Sequence, residues 1–293
     1  MISWGFNVVA TKVLGAVFMP VAMTAARLFV AGIFLFTFLF MIGSVRKLTK
    51  KEFLIVVVGS LFNVVGHHYF LAVGLTQTSA SNGGLILGAG PLLTAVMAFL
   101  FLRNRLSNLR MLGILLGFSG VAFIVLQGSE GISGVSMGDV FVFLSIFSQA
   151  FSFIIISKVS KTLDPRLMTG YMLLIGAVVM FGLSRFLEPN GIQSLFHAPS
   201  AGIWVIFFAS AIIATALGQM LYNYAIGKVG PSEASVFMNF TPFFSLVGSA
   251  LFIGEKISLT HIIGLMCIVL GVVLGSGAWE EIRRNRHAQL DTE

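Results

Sequence analysis

Ten apolar stretches, each close to membrane-crossing length, follow one another along the chain with short polar breaks between them. A hydrocarbon core about 30 Å thick takes roughly 20 mostly apolar residues per helix. With that ruler the stretches fall at 1–18, 21–43, 53–74, 80–102, 109–127, 137–157, 167–184, 202–226, 232–253 and 259–277. Among the connections, only 185–201 is long enough to hold structure of its own. The segment from Trp279 to Glu293 is polar, a disordered or loosely helical tail at 278–293. The pattern predicts an all-α membrane protein with ten transmembrane helices.

Charge tests that map. With the N-terminus in the cytoplasm and the spans alternating, the cytoplasmic segments hold Arg46, Lys47, Lys50, Lys51, Arg103, Arg105, Arg110, Lys158, Lys161, Arg166, Lys228, Arg283, Arg284 and Arg286. Those are 14 of the 18 basic residues. Only Arg185 and Lys256 fall outside, and Lys12 and Arg27 lie within spans. Cytoplasmic loops collect Lys and Arg, and adding or dropping one helix would scramble the split. Both termini are therefore expected in the cytoplasm.

Composition agrees: 57% of residues are hydrophobic and 10% charged, against about 25% charged in soluble domains. The net charge of +7 follows from the cytoplasmic loops. No arginine-rich run interleaved with aromatics points to nucleic acid. Cys267 is the only cysteine, which excludes an intramolecular disulfide and a metal site built of thiolates. No charged region followed by a short apolar run and a cleavage site marks a removable signal peptide.

The two halves of the chain resemble each other. A shift of 151 positions pairs Pro91 with Pro242, Phe101 with Phe252, Ser107 with Ser258, Gly113 with Gly264, Gly120 with Gly271 and Val121 with Val272, without a gap. Upstream the shift is 145 to 146, where Lys12-Val13 meets Lys158-Val159 and PVAMT (20–24) meets PRLMT (165–169). Two five-helix repeats follow, 1–127 and 137–277. Five is odd, so the second enters from the opposite side and the repeat is inverted. About twenty residues of the sixth span precede Lys158, but eleven precede Lys12. The first helix is thus short by about nine residues, which predicts that the native start lies upstream or that the helix is truncated; N-terminal sequencing of native protein would settle it.

All eleven acidic residues fall in loops, helix ends or the tail. Proton relays and cation sites within membranes rest on such groups, so a carboxylate-coupled pump is disfavoured. No Ser/His/Asp set, H-E-x-x-H motif or phosphate-cradling glycine loop is present, and neither an enzyme nor a cofactor is expected. The polar residues that remain inside are mostly neutral. Asn63 and His67 are four apart on the third span and share a face, with His68 about 100° round the helix. Gln219 and Asn223 are likewise four apart on the eighth span, and Gln219 is the repeat partner of His68. Asn7, Gln149, Ser152 and Asn239 complete the set. Interhelical hydrogen bonding is one role for such residues; lining a midplane site between inverted repeats is the other.

Pro91 and Pro242, in GLILGAGP and FMNFTP, should leave the carbonyls of Leu87 and Met238 without helical donors and kink both helices around a shared cavity. Arg27 lies about two turns below the outer end of the second span, where a central arginine costs at least about 2.5–3.5 kcal/mol. It either snorkels outward or faces the bundle to attract a carboxylate or phosphate. Lys12, nearer the rim, is expected to snorkel, and Trp4, Trp204 and Trp279 fit interface anchors.

WGFNVVATK (4–12), PVAMTAARLFVAG (20–32), FLAVGLTQTSAS, Pro91 and the run from YAIGKVGPSEASVFMNFTP to GLMCIVLGVVL resemble the EamA branch of the drug/metabolite transporter superfamily across nearly the whole chain. The resemblance implies a 5+5 inverted-repeat carrier of a bacterial inner membrane. Such a carrier exports amino acids or other small polar metabolites through a central cavity lined by helices one, three, four, six, eight and nine. Two departures stand out: Asn104 replaces the acidic residue that the second repeat keeps as Glu255, and the first helix lacks the glutamate of the small multidrug members. Antiport of cationic drugs is therefore doubtful, and His67 or His68 is left as the proton-coupling residue if there is one. Two joined halves also remove the need for a dimer. The rival readings are a membrane enzyme, or a lipid-handling or scaffold protein without transport.

Overall fold

In the computed structural model of the chain, the described residues are 1–102, 107–127, 136–197 and 200–275. All the regular structure among them is helical. Seven helices are long and apolar enough to cross a membrane, and three shorter apolar helices accompany them. In chain order we label them α1 (Ile2–Val17), α2 (Pro20–Met41), α3 (Lys50–Gln77), α4 (Ala80–Leu102), α5 (Asn108–Gln127), α6 (Met137–Val159), α7 (Pro165–Leu187), α8 (Ala201–Val229), α9 (231–253) and α10 (Leu259–Gly275). A 23-residue helix such as α6 is about 34 Å long, enough to span the hydrocarbon core. The 185–201 segment contributes a single turn, Gly191–Ser194. Asn104, Arg103, Arg105, Trp279 and the C-terminal arginines lie outside the described residues.

Local sequence explains where the helices begin. Thr49 and Glu52 form a reciprocal capping box at α3, which satisfies two otherwise unpaired helix donors. Ser79 and Ser136 cap α4 and α6 through their hydroxyls. Asp164 caps α7 ahead of Pro165, and the Arg166 guanidinium beside it holds the Asp164 carboxyl below the ordinary carboxylate range. The single residue between α8 and α9 is Gly230, at φ +97°, a backbone state that side-chain-bearing residues rarely adopt.

Two helix starts are capped from elsewhere in the chain. Glu188, just past α7, accepts from the backbone N–H groups of Val21 (3.0 Å) and Ala22 (2.8 Å) at the head of α2. Glu255, just past α9, accepts from Ala80 and Ser81 N–H (both 2.8 Å) and from the Ser81 hydroxyl (2.6 Å) at the head of α4. Each carboxylate meets the positive end of a helix dipole. Glu255→Ala strips three donors of their acceptor and is expected to lower stability by about 1–3 kcal/mol, with Glu255→Gln recovering part. Thermal unfolding in detergent measures both.

The helices pack mainly in a few extensive pairs: α2 on α7, α5 on α10, α3 on α6, α1 on α9, and α4 on α6 and α9. The α5–α10 pair closes backbone to backbone. A Cβ added at Gly113 would lie 2.6 Å from the Gly271 carbonyl oxygen, and one at Gly120 would lie 3.1 Å from that of Gly264. Small residues permit this approach in membranes. Large apolar side chains cover the outside, with Phe40 76% and Leu251 72% exposed, as lipid contact requires.

Candidate functional site

Two helices lose regularity just before the polar residues that sequence singles out. In α3 a π-helical segment, Leu61–Gly66, precedes His67 and His68. In α8 a second, Ser210–Leu217, precedes Gln219. Shifted by 151, the first lands at 212–217, inside the second. A π turn leaves carbonyls short of donors, and side chains here supply them. Ser148 donates to the Phe62 carbonyl (2.8 Å), Thr215 to that of Ser210 (2.9 Å) and Trp4 Nε1 to that of Ala214 (2.8 Å). Such turns recur at functional sites. A similar break precedes each proline: α4 is interrupted at Gly88–Ala89, and α9 passes through a 3-10 turn at Phe237–Asn239.

Arg27 faces the bundle and is fully buried. Its Nη1 donates to Ser210 Oγ (2.9 Å), Thr11 Oγ1 (3.2 Å) and, at 3.4 Å, Asn7 Oδ1. Nη2 lies 3.5 Å from His68 Nδ1. Its Nε has no partner, and among the described residues no carboxylate pairs with this cation. The opposite ring nitrogen of His68, Nε2, lies 2.9 Å from the Gln219 side-chain amide. The facing atom of Gln219 is its Nε2, and its Oε1 has no partner among the described residues; a neutral imidazole has one donor and one acceptor nitrogen, so the tautomer follows the way the amide is turned. His67 is inclined at 65° to His68 with ring centroids 4.8 Å apart, and its Nδ1 is bound by the hydroxyl (2.9 Å) and carbonyl (3.3 Å) of Ser145.

Asn7, His67, His68, Gln149 and Gln219 line a cavity of about 40 Å³, together with Leu87 and Met238, the two residues four before the prolines. That volume admits water but no metabolite. Other candidates sit apart. Asn63 donates to Ser152 Oγ (2.8 Å), joining α3 to α6, and Asn223 donates to Thr169 Oγ1 (2.9 Å), joining α8 to α7. Asn239 is half-buried with Oδ1 unpartnered. Trp4 does not anchor an interface: it lines the chamber and meets the Tyr222 ring at 5.0 Å, tilted by 57°. Lys12 does not end in solvent either; its ammonium donates to the Thr78 carbonyl at the C-terminal end of α3, where a cation offsets the helix dipole. No group of three metal-ligating side chains occurs among the described residues.

Sequence reasoning passed over Thr11, Ser145 and Thr215. Each is one turn from a residue it chose, namely Asn7, Gln149 and Gln219, so the same i,i+4 rule would have found them. Ser210 was beyond that rule. Nine residues of regular helix would turn it to the face opposite Gln219, and only the π segment brings both inward.

A model of the EamA-like transporter family matches residues 1–126 and 136–277. The chain belongs to that family. Among similar proteins, the "uncharacterized transporter YyaM" of Bacillus subtilis is 30% identical over 250 residues, covering 84% of this chain and 81% of its own. An uncharacterized transporter of Archaeoglobus fulgidus is 24% identical, covering 92% of this chain and 94% of its own. A WAT1-related chloroplastic protein of Arabidopsis thaliana is also 24% identical, over 92% of this chain and 66% of its own. One solved crystal structure superposes with a TM-score of 0.73 at 18% identity over 96% of this chain and 94% of that one, a likeness of fold. This EamA-like chain is thus a multi-pass membrane transporter of the drug/metabolite type, not an enzyme.

Proposed function

We propose that this EamA-like transporter is a secondary carrier that exports amino acids or other small polar metabolites by alternating access. In this reading residues 1–127 and 137–277 are oppositely oriented five-helix halves, the membrane is the plasma or inner membrane, and both termini are cytoplasmic. The halves rock about a midplane chamber. Arg27 attracts the anionic group of the substrate, and the polar faces of α3 and α8 bind the remainder.

The observation that carries this reading is the contact between His68 and Gln219. They are repeat partners, 151 positions apart, and they hydrogen-bond to each other at 2.9 Å. Two equivalent positions can touch only where the halves meet, on the axis that relates them. The glycine contacts behave alike: the shift of 151 turns the Gly113–Gly271 approach into that of Gly264–Gly120. The matched π segments support the same axis.

Reconstitution into liposomes with a panel of radiolabelled amino acids and metabolites tests the proposal. Efflux of at least one class above protein-free vesicles is the expected result, and a silent panel defeats it. Histidine has the only unperturbed pKa near neutrality, which makes His67 and His68 the coupling candidates. His67 is the freer of the two, its Nε2 having no hydrogen-bond partner among the described residues. In a coupled carrier, His67→Gln flattens the pH dependence of transport more than His68→Gln. Unchanged pH profiles in both variants identify facilitated exchange or uniport.

A further inference from the structure

Beside the small chamber lies a larger space. A groove of about 520 Å³ runs between α1, α8 and α9, walled by Phe6, Val9, Ala10, Ile206, Ala209 and Phe252. Its volume is within the usual range for a small-molecule site. The polar residues on its surface are Ser3, Asn7 and Ser210. Asn7 borders both the groove and the chamber, so the apolar space ends on the cluster around Arg27.

At that end the hydrogen bonding is incomplete. Asn7 Oδ1 accepts from Ser210 Oγ and, at a long 3.4 Å, from Arg27 Nη1. A neutral amide oxygen thus occupies the point where a hydroxyl and a guanidinium converge. Ordinary N–H···O bonds are 2.7–3.2 Å, and a guanidinium offers five donors. Here Nε is unpartnered, the side chain is 0% exposed, and no carboxylate pairs with it among the described residues. A buried cation in this state is short of an anion.

We propose that the groove binds an organic monocarboxylate with an apolar body. The body fills the space between α1, α8 and α9, and one carboxylate oxygen replaces Asn7 Oδ1 between Ser210 and Arg27. This rests on the carrier reading and its use of Arg27 for the anionic group, but it replaces amino acids with monocarboxylates and moves the body of the substrate from the polar faces of α3 and α8 into the groove. Charge complementarity selects the class. No Asp or Glu lines the groove or the chamber among the described residues; Arg27 does not line them either but lies one hydrogen bond behind Asn7 and Ser210, so a carboxylate that displaces Asn7 Oδ1 meets a cation while an ammonium meets no counter-charge. A lipid acyl chain suits the walls but leaves the guanidinium unanswered.

Calorimetry on the purified full chain in detergent tests this with 3-phenylpropanoate and phenylalanine, which share a body and differ by the ammonium group. The carboxylate is expected to bind at least about 10-fold tighter than the amino acid. Arg27→Gln should weaken it by about 10-fold or more, the scale of one charge-assisted hydrogen bond. Ala209→Phe, at an exposed wall position, should weaken it as much with the melting temperature unchanged. Equal or tighter binding of phenylalanine overturns the proposal. So does 3-phenylpropanoate binding that Ala209→Phe leaves intact, or a co-purified phospholipid that the carboxylate fails to displace in native mass spectra. The carrier reading is judged separately: liposomes that move phenylalanine but not 3-phenylpropanoate keep the carrier and sink the site, whereas tight binding without any flux does the reverse.

Discussion

Arg27→Leu is expected to reduce transport by about 100-fold or more while leaving thermal stability unchanged or raised. The two signs follow from one observation. The guanidinium is fully buried and lacks an ionic partner among the described residues, so in the empty protein it carries a desolvation cost that no ion pair offsets. Leucine removes that cost. Ser210 and Asn7 keep their mutual hydrogen bond, while Thr11 Oγ1 and His68 Nδ1 lose a donor at 3.2 and 3.5 Å, a smaller cost than that of the unpaired buried cation. With an anionic substrate bound, two charge-assisted hydrogen bonds of about 1.5–3 kcal/mol each disappear. Parallel measurements of liposome flux and detergent melting separate the cases. A variant that melts early yet still transports would make Arg27 a structural strut.

Gly271→Leu is expected to have the largest effect on stability, about 3 kcal/mol or more. Its added Cβ would lie 2.6 Å from Gly117 Cα and 2.7 Å from the Gly113 carbonyl oxygen. Overpacking usually costs about 1–3 kcal/mol because side chains can move aside; here the obstacles are backbone on a facing helix. The α5–α10 pair would have to separate along its length. Gly182→Leu provides the control, since nothing lies within 4 Å of a Cβ there, and its melting temperature should hold. Detergent melting of both variants checks the pair. Equal behaviour would mean that the close approach of α5 and α10 contributes little.

Much of this architecture could be read from the chain because lipid imposes a length on every apolar run. The shift of 151 residues paired His68 with Gln219 before any coordinates, and those two meet in space; the paired glycines, Gly113 with Gly264 and Gly120 with Gly271, meet crosswise, Gly113 on Gly271 and Gly120 on Gly264. Polar residues were legible as a set but not by destination. Asn63 and Asn223 carry the same amide as Asn7, yet they join neighbouring helices through Ser152 and Thr169, and side-chain type alone does not separate these fates. The π segments were illegible for a physical reason. LFNVVG and SAIIATAL contain no proline, and their single or absent glycine marks nothing; the irregularity is stabilised by Ser148, Thr215 and Trp4, two of them outside the segments they support. Trp4 was misplaced likewise, because an indole that caps a carbonyl inside the bundle looks in sequence like one at the lipid headgroups.

Gln149, 5% exposed on the chamber wall, offers the most direct test. A cysteine at this position, in a Cys267→Ala background, reports access through its reaction with a membrane-impermeant maleimide added to either face of oriented vesicles. Under opposed substrate gradients, labelling from the cytoplasmic face should rise as labelling from the outer face falls, and reverse when the gradient reverses. Labelling that stays confined to one face under every gradient, or that fails from both, would contradict a chamber opened alternately by two inverted halves.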